Sequence, residues 1–544
     1  MRSVEMCEGT RAGSSSWQLL AVWLAVAAMI AGAVIGADVA LASEVEKADG
    51  AVKSVGLPKA DREALARELA PLSKRWDAAR AELGIPGLAV AVVDARGVVS
   101  LETFGLRDVD RELPVTPDTM FYIASITKTY VATALAKLAE QGGVDLNRPV
   151  QEILPRFRLP DAEAASRITV EDLLCHRPGI GSGPIVFLDA YTGEITEDRY
   201  WYWMERAEVE GVVSYSNVHI TLAGRVVEAV SGSSWRDHLK EALFDPLALG
   251  RTTGYADTMY ADEDVAYPYV RSDGELVLSP RKTDRTMHAA GGLGTSITDA
   301  GRWISAQLGD GSLDGVRVLA SETLRDIHRE RSRPPRPTGD ILVREGFGLG
   351  WMTGRYRGRR CLEHGGGYVG ASAHVSFLPE AGVGVAVLMN GDRGAPALGE
   401  MIRVDVYDRV LGLEPEDLLP LVLARYGTEA EAERSAFSRS RRDGARRGPD
   451  PLEMFDWEGT FANEHWGTVR ATKDASGLRV AIGDAVTRFR GERRGRFSLV
   501  RSSGEFARGR VADTTAREDG PDRVDAISLE LRGRQVRFER VTRR

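Results

Sequence analysis

Cysteine is nearly absent from this 544-residue chain: there are three, Cys7, Cys175 and Cys361. So few exclude a disulfide framework as the basis of the fold. Lysine is also scarce, nine among 71 basic residues, and the formal net charge is -8. Without a general basic surface, nucleic-acid binding is excluded as a main role. Gly-x-Ser-x-Gly occurs nowhere, which removes the nucleophile elbow of the α/β-hydrolases. His-Glu-x-x-His is missing too. The eight histidines, His176, His219, His238, His288, His328, His364, His374 and His465, show no metal-ligand spacing. Neither a metal nor another cofactor is expected. What remains, at 43% hydrophobic content, is a globular chain long enough for more than one domain.

With nine lysines and serine near about 7% of residues, roughly half a Ser-x-x-Lys match is expected by chance. Two occur. Ser279-Pro280-Arg281-Lys282 contains a proline, follows the turn-like Ser272-Asp273-Gly274, and reads as an accident of a loop. Ser125-Ile126-Thr127-Lys128 instead follows the apolar strand Met120-Phe121-Tyr122-Ile123 and opens a helix running to about Glu140. One helical turn puts Ser125 and Lys128 on the same face. A serine hydroxyl needs a neighbour to take its proton, and a lysine does so once burial or nearby charge lowers its pKa from about 10.4. The pair reads as an activated nucleophile.

Tyr215-Ser216-Asn217 precedes a helix pattern of Leu222, Val226, Val227 and Val230. Alternate residues of an extended segment share a face, so Tyr215 and Asn217 can enter one cleft. A phenol can relay a proton, and a carboxamide can hold a lysine and a substrate carbonyl. An asparagine that merely caps the following helix is the competing reading. His364-Gly365-Gly366-Gly367 follows a probable strand around Arg360 to Glu363. Glycines there let a substrate backbone approach and leave an N–H free as an oxyanion donor. An ordinary glycine-rich loop with a surface histidine is the alternative.

Together and in this order, Ser125-x-x-Lys128, Tyr215-x-Asn217 and His364-x-Gly366 resemble the penicillin-recognising serine hydrolases, in their class C β-lactamase-like branch. The blocks Phe121 to Lys128, Ile168 to Gly179, Ala290 to Ser296 and Phe347 to Trp351 are similar to further family segments, and the resemblance covers roughly residues 60 to 412. It implies an α/β (α+β) fold: an antiparallel sheet flanked by helices, plus a helical insert, with the active site between them. It also implies that Ser125 forms an acyl-enzyme, Lys128 and Tyr215 shuttle its proton, and Asn217 positions the substrate amide. Backbone N–H groups of Ser125 and Gly367 would form the oxyanion hole. By the same likeness His176 is a structural residue in a helix-ending turn. His364 stands where many relatives carry lysine. A histidine of pKa near 6.5 is mostly uncharged at neutral pH, so attraction for a substrate carboxylate is weaker. That favours an esterase, amidase or D-amino-acid peptidase over a dedicated β-lactamase. The partner is then a small-molecule or peptide substrate.

The N-terminus carries Arg2 and Arg11, an apolar run from about Leu19 to Gly36, and Ala40-Leu41-Ala42. This is the layout of a secretory signal over residues 1–42, although a run of about 18 residues approaches a membrane span. A cleaved signal predicts a secreted or periplasmic protein; an uncleaved anchor predicts membrane association with an extracytoplasmic catalytic domain. Cys175 and Cys361 are expected as unpaired buried thiols. Residues 43–413 read as the hydrolase domain. Within them a helix is expected between Lys59 and Leu83, a buried strand from Gly87 to Val93 returning at Val98 to Leu101, a strand from Val383 to Met389 and a helix from Leu398 to Val410.

Residues 414–450 read as a linker, rich in Arg, Ser and Gly after Ser435. Over 451–544, alternating runs at Thr468 to Thr472, Leu478 to Ile482, Phe497 to Val500, Ile527 to Leu531 and Val536 to Phe538 predict a small all-β sheet or barrel. Tyr200-Trp201-Tyr202-Trp203 reads as helix packing in the insert rather than as a substrate wall. Two functions compete: an acyl-transferring hydrolase, and a non-catalytic sensor that keeps the pocket to bind peptidoglycan-like fragments. A binding module has no need of Ser125, Lys128 and Tyr215 together, which favours the enzyme.

Overall fold

The structure, a computed structural model, describes residues 59–424 except 182, 273, 274 and 340, then residue 426, and 455–541 except 457, 475–476, 493–495, 502–505, 516–521 and 532–533. All described residues belong to one compact unit. The segment read as signal or anchor lies outside them.

Strand Gly87–Asp94 is buried along its whole length and pairs antiparallel with both Val383–Met389 and Gly97–Asp108. The two ends of the hydrolase segment thereby share an eight-stranded sheet, whose other neighbours run out through Ala371–Leu378, Arg359–Tyr368, Met352–Tyr356 and Leu342–Phe347. Period-two alternation sorts its side chains. Leu88, Val90, Val92, Val385 and Val387 point to one core with Trp76, Leu398 and Ile402. Ala89, Ala91, Val93, Ala386 and Leu388 point to the other, with Tyr130, Leu135 and Trp303. Each buried valine or leucine contributes roughly 1.5–3 kcal/mol. The small alanines on the second face let helix Ile297–Leu308 come close, and Trp303 of that helix stacks on Tyr130 of helix Thr127–Glu140 at 4.0 Å.

The helix expected between Lys59 and Leu83 is two helices, Lys59–Leu69 and Leu72–Leu83. Pro71 explains the break, since it lacks an N–H and its ring disfavours helical geometry at Ala70. A helical insert follows the helix Thr127–Glu140 and includes Val170–Leu174, Glu197–Met204 and Asn217–Ser231. Cys175 and Cys361 are both free and buried.

Among the described residues beyond 454, the regular elements are all β-strands. Strands Gly459–Asn463, Gly467–Asp474, Gly477–Ile482, Ala485–Glu492, Arg496–Arg501, Phe506–Thr515, Asp522–Leu531 and Arg534–Arg540 pair in sequence, and the last also pairs with the first. The ring is closed, which removes exposed sheet edges. Tyr202 stacks on His465 at 3.6 Å and Trp203 Nε1 donates to the His465 carbonyl at 3.0 Å, so the aromatic run of the insert docks this barrel. Trp201 is buried at 5% exposure beneath Arg225. Of the stretch 414–450, residues 414–424 lie against the hydrolase domain through Leu418 and Val422; apart from residue 426 the rest lies outside the described residues. No helix among the described residues is long and apolar enough to cross a membrane.

Candidate active site

Ser125 occupies a short 3-10 turn, Ala124–Ile126, between strand Phe121–Tyr122 and helix Thr127–Glu140. Ala124 holds φ of 45°, a conformation costing roughly 1–3 kcal/mol in a non-glycine residue. The surroundings fix it: Thr127 Oγ1 donates to the Ala124 carbonyl at 2.6 Å and accepts from the Leu293 N–H at 3.1 Å. Strand Phe121–Tyr122 pairs with Gly294–Thr295, so the Ala290 to Ser296 block braces the turn.

Lys128 Nζ lies 2.8 Å from Ser125 Oγ, 2.7 Å from Asn217 Oδ1 and 2.6 Å from the Ala290 carbonyl. The side chain is fully buried, and burial pushes its amine well below the ordinary lysine range. A neutral amine has two N–H bonds and one lone pair. The Asn217 and Ala290 oxygens only accept, so they take both N–H bonds and the lone pair is left facing the Ser125 hydroxyl. This is the geometry of a general base.

Tyr215 and Asn217 enter the same cleft. The Lys128 amine sits 4.9 Å over the Tyr215 ring, and the Tyr215 hydroxyl hydrogen-bonds Ser125. Burial raises the phenol pKa against the pull of that bond; the residue is 37% exposed, so water offsets part of the rise. Ser216, not Asn217, caps the helix Asn217–Ser231, accepting from the Val218 N–H at 3.3 Å. The Asn217 side chain instead faces the lysine.

His364, Gly366 and Gly367 lie within strand Arg359–Tyr368, opposite Val375, Ala373 and Ser372, rather than in a loop after it. A Cβ on Gly366 would stand 2.0 Å from the Ile123 carbonyl and 3.4 Å from the Ser125 nitrogen, so only glycine permits this approach. A Cβ on Gly367 would meet nothing within 4 Å, which marks the open side of the cleft. His364 Nδ1 is 2.7 Å from the Gly365 carbonyl. That carbonyl can only accept, so Nδ1 carries the proton and Nε2 is an acceptor. Burial, with Lys128 nearby, lowers the pKa to about 3 and leaves the imidazole uncharged.

A histidine pair behind Tyr215 went unread in the sequence. The Ile180 N–H donates to His219 Nε2 at 3.0 Å, which places the His219 proton on Nδ1; that proton then faces His176 Nδ1, 3.0 Å away. His176 Nδ1 therefore accepts, including from the Ser216 N–H at 3.4 Å. Burial lowers both pKa values, that of His219 to about 3. The His176 ring lies 4.7 Å from Tyr215 and 5.0 Å from Phe347, packing the phenol against the cleft. Nothing in the spacing pairs these histidines, which meet only in the fold. Among the described residues no three His, Cys, Asp or Glu side chains gather into a metal-binding group.

The family model described as Beta-lactamase matches residues 72–406, more than half of the chain. Penicillin-binding protein 4 of Amycolatopsis lactamdurans is 29% identical over 371 residues, 64% of this chain and 95% of that protein. An unguisins hydrolase of Aspergillus violaceofuscus is 25% identical over 433 residues, 72% of this chain and 74% of the other. Among solved structures, an octameric penicillin-binding protein homologue from Pyrococcus abyssi superposes with a TM-score of 0.56 at 22% identity, covering 86% of this chain and 99% of that one. The last likeness is one of fold.

Proposed function

The chain belongs to the Beta-lactamase family and is a serine hydrolase, and from that premise we propose that it cleaves an ester or amide through an acyl-enzyme on Ser125. The observation that carries the reading is the Lys128 amine, held by two acceptors with its lone pair toward the Ser125 hydroxyl. In the proposed cycle Lys128 takes the Ser125 proton as Oγ attacks the carbonyl carbon. Negative charge on the tetrahedral oxygen is met by the N–H groups of Ser125 and Gly367. Tyr215, a neutral phenol, passes a proton from Lys128 to the leaving alcohol or amine as the carbonyl re-forms and the bond breaks. Water then repeats the sequence in reverse and frees the acid. Asn217 holds Lys128 and the substrate amide.

The uncharged His364 supports an esterase, amidase or D-amino-acid peptidase over a dedicated β-lactamase, because a buried neutral imidazole offers a substrate carboxylate no cation. A small-molecule or peptide substrate fits the open side at Gly367. The apolar run from Leu19 to Gly36 with Ala40-Leu41-Ala42 supports an extracytoplasmic site of action. The test is turnover of p-nitrophenyl acetate, a chromogenic cephalosporin and a D-alanyl-D-alanine peptide by the wild type and Ser125→Ala. The reading expects at least one to be hydrolysed, the cephalosporin slowest, and all activity lost in the variant. Retained hydrolysis in Ser125→Ala would overturn it.

A further inference from the structure

Tyr215 is 37% exposed, yet its hydroxyl must stay on Ser125 if a proton is to pass. A half-open side chain keeps one position only where its backbone and inner face are held.

Both are held by the turn from His176 to Gly181. The Ser214 N–H donates to the His176 carbonyl at 3.2 Å and the Ser216 N–H to His176 Nδ1 at 3.4 Å, so one residue grips the chain on either side of Tyr215. Further back, the Glu210 N–H donates to the Gly179 carbonyl at 3.0 Å and the Gly181 N–H to the Glu208 carbonyl at 2.7 Å. A Cβ on Gly179 would stand 2.3 Å from the Val212 carbonyl, and φ there is 62°, so the two segments seat this closely only with glycine. His176 itself holds φ of 59°, a conformation that costs a non-glycine residue roughly 1–3 kcal/mol and lasts only where neighbours fix it.

His219, fully buried on the helix Asn217–Ser231, holds that turn at two points. Its Nε2 accepts from the Ile180 N–H at 3.0 Å, and its Nδ1 meets His176 Nδ1 at 3.0 Å. The two bonds depend on each other. With Nε2 taken as an acceptor, the one proton of a neutral ring can sit only on Nδ1. That proton makes His176 Nδ1 the acceptor and sets the His176 ring 4.7 Å from the phenol. In the other tautomer His176 Nδ1–H would face two donors, the His219 and Ser216 N–H groups.

We propose that His219 is a positioning residue for the Tyr215 proton relay: its tautomer fixes His176, and His176 fixes the backbone and inner face of Tyr215. His219 touches no reacting atom. The inference rests on the acyl-enzyme reading, which gives Tyr215 the proton that the leaving group needs.

The test uses the full chain and three acetates, p-nitrophenyl, phenyl and p-methoxyphenyl, compared by kcat/KM. p-Nitrophenolate leaves as a stable anion, whereas the more basic phenolates depend on a proton. A displaced relay is therefore felt more as the leaving group grows more basic, while general structural damage lowers all three alike. His219→Gln reaches the Ile180 N–H but not His176; His219→Asn keeps a donor at the Nδ1 position. His219→Gln is expected to lose roughly tenfold more on p-methoxyphenyl than on p-nitrophenyl acetate, as Tyr215→Phe does, and to add no leaving-group dependence in a Tyr215→Phe background. His219→Asn is expected to keep the wild-type profile at a lower melting temperature, having stranded the Ile180 N–H. Equal losses on the three esters in His219→Gln, or a steeper profile in Asn than in Gln, would overturn the proposal. Ring ¹⁵N spectra of the wild type need no variant: His219 protonated at Nδ1 and His176 at Nε2 are expected, and the opposite tautomer on either ring would overturn it too. A flat profile in Tyr215→Phe would remove the relay and leave the hydrolase reading intact, whereas a wild type inactive on every ester and amide would remove both.

Discussion

Lys128 and Lys282 each stand three residues after a serine, both are buried, at 0% and 4% exposure, and burial pushes both amines down, that of Lys282 to about 7. They differ in where the serine goes. Ser125 precedes a helix whose first turn carries Lys128, and hydroxyl and amine meet at 2.8 Å. Ser279 precedes Pro280 in a loop; its Oγ is without a partner, while Lys282 gives its protons to two carbonyls and faces the Tyr368 ring at 4.0 Å. A buried lysine of lowered pKa is therefore no mark of catalysis by itself. Each amine has two acceptors for its protons, and what separates the pairs is a hydroxyl placed to meet the amine, which Ser125 supplies to Lys128. Lys282 ties the insert, through Ala190, to the strand that carries Gly366.

The largest contrast expected is between the serines. Ser125→Ala should lower ester turnover by roughly 10³- to 10⁶-fold, while Ser279→Ala should leave p-nitrophenyl acetate hydrolysis within about twofold, since losing an unpaired hydroxyl is nearly neutral. Comparable losses in the two would break the distinction.

The lysines should divide activity from stability. Lys128→Met should cost about 10²- to 10⁴-fold in kcat/KM and abolish the ascending limb of the pH profile. That limb rises with pH because only the deprotonated amine accepts the Ser125 proton. Lys282→Met should keep acetate turnover but lower stability by about 1–3 kcal/mol, having stranded the Ala190 and Thr286 carbonyls. Between pH 7 and about 10.4 the unfolded chain holds a proton that folded Lys282 has lost. Wild-type stability therefore gains from this residue as pH rises through that window, and the gain should vanish in Lys282→Met. Urea melts at pH 7 and 10 measure it.

A smaller effect tests whether burial sets the histidines as it sets the lysines. His219, His328 and His364 have pKa values lowered to about 3 by burial. Below about 6.5 the unfolded chain binds protons that these refuse, so stability should fall as pH drops from 6.5 toward 3, by about 1.4 kcal/mol per pH unit for each. A melting temperature flat between pH 6.5 and 4.5 would contradict their burial in the uncharged form.

Much of this was legible in the sequence. The Ser125 helix, the strand Gly87–Asp94 and its partner Val383–Met389 follow from apolar periodicity, and the ordered motifs named the cleft's side chains. Three things were hidden for physical reasons. His364 to Gly367 falls past the strand expected around Arg360 to Glu363 because glycine is poor in strands, and cross-strand pairing with Ala371–Leu378 carries the strand through it. The Ala290 carbonyl is backbone and has no signature in residue type. His176 and His219 meet only through tertiary packing. In the barrel, strands Ala485–Glu492 and Phe506–Thr515 carry arginine and glycine that blur the alternation.

The central claim, that of the two serine–lysine pairs only Ser125 is the nucleophile, is tested most directly by intact mass spectrometry after exposure to a fluorescent penicillin and to p-nitrophenyl acetate, with peptide mapping of any adduct. The account predicts one acyl adduct on the Ser125 peptide, absent from Ser125→Ala and unchanged in Ser279→Ala. An adduct that survives in Ser125→Ala, or that maps to Ser279, would contradict it.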